Sequence, residues 1–206
     1  MVDSSKVRRR PKKWNAIEGI LFILLVLVTG YILLRSPIFE VKKVEVRGNH
    51  FLSADKILAV ADIGIGANIF KLDLGEVTAN LRLVPMIKEV QVSRSLPAAV
   101  VIDVKERRPL GLLSTGEGFI EVDREGIYLQ KAGAGTPGLP VITGIQVVPA
   151  GPGQVISAEG LAGALAVIGE LPEEIVSSLS EIHVEGDGQI KIYTLEGIQC
   201  RFGSAT

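Results

Sequence analysis

The 206-residue sequence is poor in the residues that most often bind metals. It has one cysteine, Cys200, so no disulfide can form within the chain, and its two histidines, His50 and His183, lie 133 positions apart. Zinc and similar ions need several cysteine, histidine or carboxylate ligands at short spacings. We therefore predict no metal site and no cofactor, and we interpret Cys200 as a small apolar core residue of a late strand.

The sequence also lacks a recognisable pair of catalytic nucleophile and base. The acidic pairs Glu121/Asp123 and Glu185/Asp187 fall at strand ends beside turns, where solvated carboxylates are expected. His183 lies between Ile182 and Val184 in a strand pattern, which indicates an outward-facing histidine without a chemical role. We predict that the chain is not an enzyme. The alternative is a membrane-anchored cell-wall enzyme that uses Glu121 or Asp123.

The net charge of −1 hides a difference between the two ends of the chain. Residues 1–15 carry six basic side chains and one acidic one, whereas residues 36–206 carry 15 basic and 21 acidic side chains. An acidic body argues against nucleic acid as a partner. A short basic tract directly before an apolar stretch is typical of a membrane topology signal.

The apolar stretch is "GILFILLVLVTGYILL", residues 19–34, which contains no charged side chain. Extended to Ala16 it has 19 residues, and a helix of that length spans roughly 28 Å, close to the hydrocarbon core of a bilayer. It is longer than the apolar part of a cleaved signal and has no small-x-small site after it. We predict a cytoplasmic basic tail at 1–16, a single-pass type II signal-anchor helix at 17–35, and an extracytoplasmic body.

Residues 38–107 have the pattern of a small α+β unit. "IFEVKKVEVRGN" alternates as a strand does but changes phase near Lys42 and Lys43, which predicts a β-bulge or a bent entry. Gly48 and Asn49 then predict a turn, and Ser53 is placed to cap a short helix. The pair Asp73 and Glu76 opens a second helix, and "IKEVQVSR" and "AVVIDVKE" form a hairpin. The predicted order is β-α-α-β-β.

Residues 108–206 have the pattern of a second, mainly β unit. "GFIEVDREGIYL" predicts a hairpin, "LPVITG" a short strand, and "IHVEGDGQIKIYTLEGIQCRFG" three strands turning at Asp187-Gly188 and Glu196-Gly197. Ser157 is placed to cap a helix with an apolar stripe, namely Leu161, Leu165, Ile168 and Leu171.

The pair Gly64-x-Gly66, in the first unit, resembles part of a dinucleotide-binding loop. It follows a helix instead of a strand and lacks a third glycine, so we interpret it as an ordinary loop.

These motifs together resemble a known family. "FEVKKVEVRGNHFLSADKI" and "NIFKLDLGEVTANLRLVPMIKEVQVSRSLPAAVVIDVKERRPLGLL" are similar to a POTRA domain of the type found in the FtsQ/DivIB proteins of bacterial cell division. The likeness rests on the V-x-G-N turn, the Leu-Val-Pro entry to the second strand and the V-x-E-R-x-P exit. The hairpin "V-D-x-x-G" resembles the β domain that follows POTRA in this family. The resemblance covers nearly all of residues 17–203.

The resemblance implies a fold and a function. The expected fold is α+β: one transmembrane helix, a β-α-α-β-β POTRA-like domain at 38–107, and a mixed, mostly antiparallel β domain at 108–206 with one or two helices. The expected function is that of a divisome scaffold in the bacterial cytoplasmic membrane, located at the septum. Its expected partners are FtsB/DivIC-like and FtsL-like proteins and components of the septal peptidoglycan synthase. A POTRA component of a protein-export system is the other alternative.

One departure from the family concerns the C-terminal end. In the family, the strand that matches "GIQCRFG" is followed by a helix and a last strand, to which FtsB/DivIC adds. This sequence ends at "SAT". We expect either a fragment or an altered ending, and in both cases an exposed sheet edge. The residues placed by position to contact partners are Arg47, Asn49, Tyr193, Gln199 and Arg201.

Overall fold

A computed structural model describes residues 16–116, 118–133, 136–148 and 150–204. The predicted basic tail therefore lies, except for Ala16, outside the described residues. The first element is the helix α1, Ala16–Leu34. Its segment Ile17–Leu34 has a mean hydropathy of 2.5 and no buried side chain. The helix is long enough and apolar enough to cross a bilayer once.

A small α+β domain follows α1. After a short 3-10 turn at Pro37–Phe39, its elements are β1 (Lys43–Arg47), α2 (Ala54–Ala61), α3 (Leu74–Arg82), β2 (Ile87–Ser95) and β3 (Ala99–Glu106). The strands form a sheet in the order β1-β3-β2. β1 runs parallel to β3, whereas β2 and β3 form an antiparallel hairpin. The predicted β-α-α-β-β order is confirmed.

The entry to this domain is bent and not bulged. β1 begins only at Lys43, and Phe39 and Val41 precede it in a separate segment. Val41 is fully buried in a small cluster with Ile69 and Val100. The change of phase in the sequence therefore marks the boundary between two segments, whose clusters meet at Val44.

Both helices of this domain begin at the residues that the sequence predicts. Ser53 Oγ accepts a hydrogen bond from the Lys56 amide at 3.3 Å, and Asp73 Oδ1 accepts from the amides of Gly75 and Glu76 at 2.8 and 3.2 Å. Such N-caps stabilise a helix by about 1 kcal/mol each. The helices place an apolar face on the sheet, and its buried members are Ile57, Ala61, Val77 and Leu81. These residues form one core with Ile102 and Val104 of β3.

The turn after β1 needs a glycine. Gly48 has a φ of 79°, and a Cβ at this position would lie 2.2 Å from the carbonyl oxygen of Val104. No side chain fits in that space. Gly48 therefore allows β1 to turn in contact with the end of β3.

The second domain is a seven-stranded sheet with one main helix. Its elements are β4 (Gly111–Thr115), β5 (Gly118–Val122), β6 (Tyr128–Ala132), β7 (Val141–Thr143), α4 (Leu161–Glu170), α5 (Glu173–Val176), β8 (Leu179–Val184), β9 (Gln189–Thr194) and β10 (Gln199–Ser204). The strand order is β10-β9-β8-β7-β4-β5-β6. Only the two pairings of β7 are parallel, so the sheet is mixed and mostly antiparallel, as predicted.

The helix α4 packs one side on this sheet. Leu161, Leu165 and Ile168 are buried against strand residues that include Ile182 and Ile192. The predicted cap at Ser157 is wrong, because the helix starts three residues later, after Gly160 at the N-cap. Gly160 has a φ of 78°, and a Cβ there would lie 2.5 Å from the Val184 side chain. That left-handed residue, and not the serine, sets the first turn of α4.

Candidate docking surfaces

The acidic residues considered for catalysis have structural partners. Glu121 and Asp123 are 6% and 5% exposed, so the prediction of solvated carboxylates is wrong for this pair. Glu121 Oε2 accepts a hydrogen bond from Gln130 Nε2 at 2.9 Å. Asp123 Oδ1 accepts from the amides of Glu125 and Ile127, both at 2.9 Å. The Asp123 carboxylate thus stabilises the β5–β6 turn by accepting hydrogen bonds from the backbone of that turn.

The second acidic pair is also engaged locally. Glu185 forms an ion pair with Lys191 of the adjacent strand. Asp187 Oδ1 accepts the amide of Gln189 at 3.0 Å within the hairpin turn. His183 is partly exposed, with its Nδ1 2.8 Å from Thr143 Oγ1. In the described ranges, no group of three or more His, Cys, Asp or Glu side chains could hold a metal ion.

Acidic and basic side chains join the two domains. Arg107, just after β3, donates to Asp123 Oδ2 at 2.6 Å and to Glu125 Oε2 at 2.7 Å. Lys88 of β2 forms an ion pair with Glu125 as well. We call Lys88, Arg107, Asp123 and Glu125 the junction cluster. It links strands β2 and β3 of the first domain to the β5–β6 turn of the second domain.

Contacts within the junction cluster shift the pKa of two of its members, Arg107 and Glu125. Hydrogen bonds from Lys88 and Arg107 lower the pKa of Glu125 to about 2. Partial burial by itself would lower the pKa of Arg107, but its hydrogen bonds to Glu125 and Asp123 outweigh burial and raise it. Both changes favour the charged forms. Glu125 and Arg107 therefore stay charged at neutral pH.

The first predicted docking residues, Arg47 and Asn49, lie at the end of β1. Arg47 is exposed, and its Nη2 lies 2.8 Å from Glu45 Oε2 on the same strand. Asn49 is half-buried, and its Nδ2 donates to the carbonyl oxygen of Leu52 at 2.9 Å. The structure thus leaves Arg47 at the surface, whereas Asn49 has a role in shaping the turn.

Glu106, the last residue of β3, also holds this turn, and the sequence analysis did not identify it. The Glu106 carboxylate accepts hydrogen bonds from three consecutive amides, those of His50, Phe51 and Leu52, at 2.7, 2.6 and 2.9 Å. Glu106 is the glutamate of the V-x-E-R-x-P motif. The motif was therefore visible, but its partner 54 to 56 positions earlier could not be identified without the fold.

The other predicted docking residues, Tyr193, Gln199 and Arg201, lie together. Gln199 is directly opposite Tyr193, and Arg201 is opposite Lys191, in the antiparallel pair β9–β10. Because side chains alternate along a strand, these residues share one face of the sheet. The adjacent Ile192 belongs to the core on the opposite face. Tyr193, Gln199 and Arg201 therefore form a polar patch away from α4.

The opposite face of β10 is apolar and uncovered. Cys200 lies opposite the core residue Ile192, but it is exposed, so the prediction that it is a core residue is wrong although its strand is correct. Phe202 is 57% exposed and Ile198, just before the strand, is 54% exposed. The buried core reaches Ile192 of β9 and does not extend to β10. Ile198, Cys200 and Phe202 therefore lie on the same face of the sheet as the core, but they are exposed.

β10 is also an open edge of the sheet. Within the described part of the chain it pairs with β9 alone, and its register shifts by one residue between Arg201 and Ser204. Gly203 has a φ of 73° at this irregularity. An edge strand presents unpaired backbone donors and acceptors to another strand. Within the described residues, β10 therefore combines an unpaired strand edge with exposed apolar side chains, which is the pattern of a strand-docking surface.

Comparison with known proteins defines the class. The family model described as "POTRA domain, FtsQ-type" matches residues 39–107, and that described as "Cell division protein FtsQ/DivIB, C-terminal" matches residues 111–206. Together with α1, these matches define a POTRA protein of bacterial cell division with an apolar N-terminal helix. Such a helix fits a membrane-anchored domain.

Individual relatives agree with this class. The FtsQ of Corynebacterium glutamicum is 30% identical over 173 residues, which cover 84% of this chain and 74% of that protein. The FtsQ of Anaeromyxobacter sp. (strain K) is 29% identical over 82% of this chain, and the DivIB of Clostridium acetobutylicum is 33% identical over 47% of it. The chain belongs to the FtsQ/DivIB family of cell division proteins. It spans 58% of the Anaeromyxobacter protein and 39% of the Clostridium protein.

One solved structure is also similar at a distance. It is the major extracytoplasmic domain of DivIB from Geobacillus stearothermophilus, with 18% sequence identity and a TM-score of 0.34. The match covers 48% of this chain and 80% of that one.

Proposed function

We propose that this chain is a non-enzymatic, bitopic scaffold of the bacterial division machinery. Residues 1–15 would lie in the cytoplasm, as the positive-inside rule requires, and the two folded domains would lie outside the membrane at the septum. There the chain binds FtsB/DivIC-like and FtsL-like proteins and helps to control septal peptidoglycan synthesis. Membership of the FtsQ/DivIB family supports the role in division.

The β10 edge carries the proposal of partner binding. Its backbone is open on one side, and its apolar face ends in the exposed side chains of Cys200 and Phe202. A partner strand added to β10 would satisfy the backbone groups and extend the sheet. An apolar partner side chain would cover Phe202. The occupant that we propose for the edge of the described sheet is therefore an extended, alternately apolar segment of an FtsB/DivIC-like protein. In a longer version of the protein that carries the family's last strand, that strand would form the edge, and the same partner segment would add to it.

Native Cys200 allows a direct test of strand addition. We would co-express the full chain with its FtsB/DivIC-like and FtsL-like partners and place single cysteines along the segment of the partner that binds. Strand addition predicts disulfide cross-links at alternate partner positions, since side chains on a strand alternate between faces. Cross-links with a helical spacing of three to four residues, or with no periodicity, contradict edge addition.

A matched pair of charge substitutions tests the same surface without cross-linking. Phe202→Lys places a charge on the apolar face of β10 and should reduce the co-purification of the partner at least about tenfold, the effect of losing a central apolar contact. Leu83→Lys is the control, because Leu83 is 81% exposed at the end of α3 in the other domain. Equal retention of partner by both variants overturns the proposed edge site.

A further inference from the structure

The loop between α2 and α3 is tied to the end of the membrane helix. Asn68 Nδ2 donates a hydrogen bond to the carbonyl oxygen of Leu34, the last residue of α1, at 2.7 Å. Backbone hydrogen bonds join the loop to the segment that leaves the helix, from Val41 to Ala67 at 2.8 Å and from Ile69 to Phe39 at 2.8 Å. The loop is therefore fixed beside the point where the chain leaves the span.

This region has large apolar side chains that the protein does not cover. Ile38, Ile65 and Phe70 are 54%, 68% and 42% exposed. We call these three residues the juxtamembrane patch. The core beside these segments is formed by other residues, because Val41 and Ile69 are fully buried. Ile38, Ile65 and Phe70 lie outside that core. Their segments are hydrogen-bonded to each other beside the end of α1, and large exposed apolar side chains in such a region mark an interaction surface.

The end of α1 has the residues that favour a membrane surface. Tyr31 lies in its last turn, and the guanidinium of Arg35 is 4.7 Å from the centre of the Tyr31 ring. Tyrosine and arginine at the end of a span are typical of the headgroup region. The loop adds Lys71, which is exposed beside Phe70 and suits anionic headgroups.

We propose that the juxtamembrane patch is a second membrane contact, with Ile38, Ile65 and Phe70 inserted into the interface of the outer leaflet. The inference rests on the proposed anchoring of α1. The lipid surface is the occupant because the loop is hydrogen-bonded to the last residue of the span and so begins at the level of the headgroups. Partial burial of a few apolar side chains at this depth is the mode of interfacial attachment.

This contact would set the orientation of the POTRA domain. A single helix followed by a flexible connection lets a domain rotate freely, whereas a second contact beside the helix restricts its tilt. The ring of Phe70 packs on Phe39 with centroids 5.1 Å apart, so the patch is attached to the domain as well as to the span. The inserted side chains therefore transmit the orientation of the bilayer to the domain.

The test uses the full chain in vesicles of phosphatidylethanolamine and phosphatidylglycerol. The single native cysteine is removed as Cys200→Ser, and new cysteines are introduced as Ile65→Cys and Phe70→Cys for an environment-sensitive dye. Leu33→Cys within α1 and Leu195→Cys in the β9–β10 turn are the controls. All four positions are exposed on the protein, so labelling does not disturb a core. Aqueous iodide and a lipid carrying a nitroxide near the headgroup are the quenchers.

The proposal predicts that iodide quenches the Ile65 and Phe70 probes at least about threefold less than the Leu195 probe, and that the nitroxide lipid quenches them more. Iodide quenching equal to that at Leu195, with Leu33 protected, overturns the second contact and leaves the anchor intact. Quenching of Leu33 by iodide instead overturns the proposed anchoring. Protection at Ile65 and Phe70 from both quenchers indicates cover by protein and also overturns the proposal.

Discussion

Replacement of Arg107 tests whether the junction cluster stabilises the two domains. Arg107→Met keeps most of the side-chain volume but removes the hydrogen bonds to Asp123 and Glu125. Asp123 is nearly fully buried, so it would be left with its two backbone amides and no cation. The effect on stability should therefore come mainly from this one carboxylate.

The magnitude follows from the exposure of each pair. A hydrogen bond to a charged group contributes about 1.5–3 kcal/mol, which applies to the buried Arg107–Asp123 contact. The Glu125 side chain is 49% exposed and keeps Lys88, so its part adds less than about 1 kcal/mol. We expect Arg107→Met to cost about 2–3 kcal/mol. For a chain of this size that corresponds to a fall in Tm of roughly 4–12 °C.

The adjacent arginine provides a matched control. Arg108 Nη2 lies 2.8 Å from Glu173 Oε1, but both side chains are mostly exposed, at 57% and 74%. Arg108→Met should cost less than about 1 kcal/mol. Chemical denaturation of the detergent-solubilised full chain would measure both variants. A cycle with Asp123→Asn should show a coupling energy of at least about 1 kcal/mol.

Two results would refute this reasoning. Equal destabilisation by Arg107→Met and Arg108→Met would show that burial does not distinguish the two arginines. Additive effects of Arg107→Met and Asp123→Asn would show that the contact contributes nothing beyond its separate side chains.

Three further predictions concern pH, a turn and topology. The lowered pKa of Glu125 means that its stabilisation is present above about pH 4.5 and is lost as the pH falls through about 2. Glu125→Gln should therefore unfold more easily than the native chain at pH 7, and this difference should shrink below about pH 4.5 and disappear below about pH 2. Gly48→Ala should destabilise the chain by more than about 2 kcal/mol in thermal unfolding, because its Cβ would meet Val104, whereas Gly66→Ala has open space and should cost only about 1 kcal/mol; similar losses at both would contradict the steric account. In a Cys200→Ser background, a cysteine introduced as Leu83→Cys should react with a membrane-impermeant maleimide added to intact spheroplasts, because Leu83 is 81% exposed and lies away from the proposed partner site on β10; protection that lysis removes would contradict an extracytoplasmic body.

Local sequence signals were sufficient to predict the helix starts of the POTRA-type domain and one hairpin of the second domain. Ser53 and Asp73 cap their helices as predicted, because an N-cap is a contact within three residues of sequence. The hairpin at Asp187-Gly188 follows from its own dipeptide for the same reason. Patterns of this kind need no knowledge of the rest of the fold.

Predictions failed where distant residues decide the outcome. Asp123 lies in a turn, where acids are normally solvated, but Arg107 of the other domain covers it. Cys200 has the pattern of a core strand residue, yet the buried core ends at β9 and leaves it exposed. Neither burial by another domain nor the limit of a core can be read from a local pattern. Tyr193, Gln199 and Arg201 lie on one face because β9 and β10 pair through a tight turn, which is a local feature of the sequence. Their role in docking stays a prediction.

The short strand β7 has a mechanical consequence. It has three residues, compared with five in β4 and six in β8, and it alone joins the half-sheet β4–β6 to the half-sheet β8–β10. A load applied at β10 and resisted at the membrane must cross this seam or pass through α4, which packs over it. Within the described sheet, the two pairings of β7 join the fewest residues, two with β4 and three with β8, to resist shear. Tension between the cell envelope and a partner on β10 would therefore separate the two half-sheets before it unravels either one.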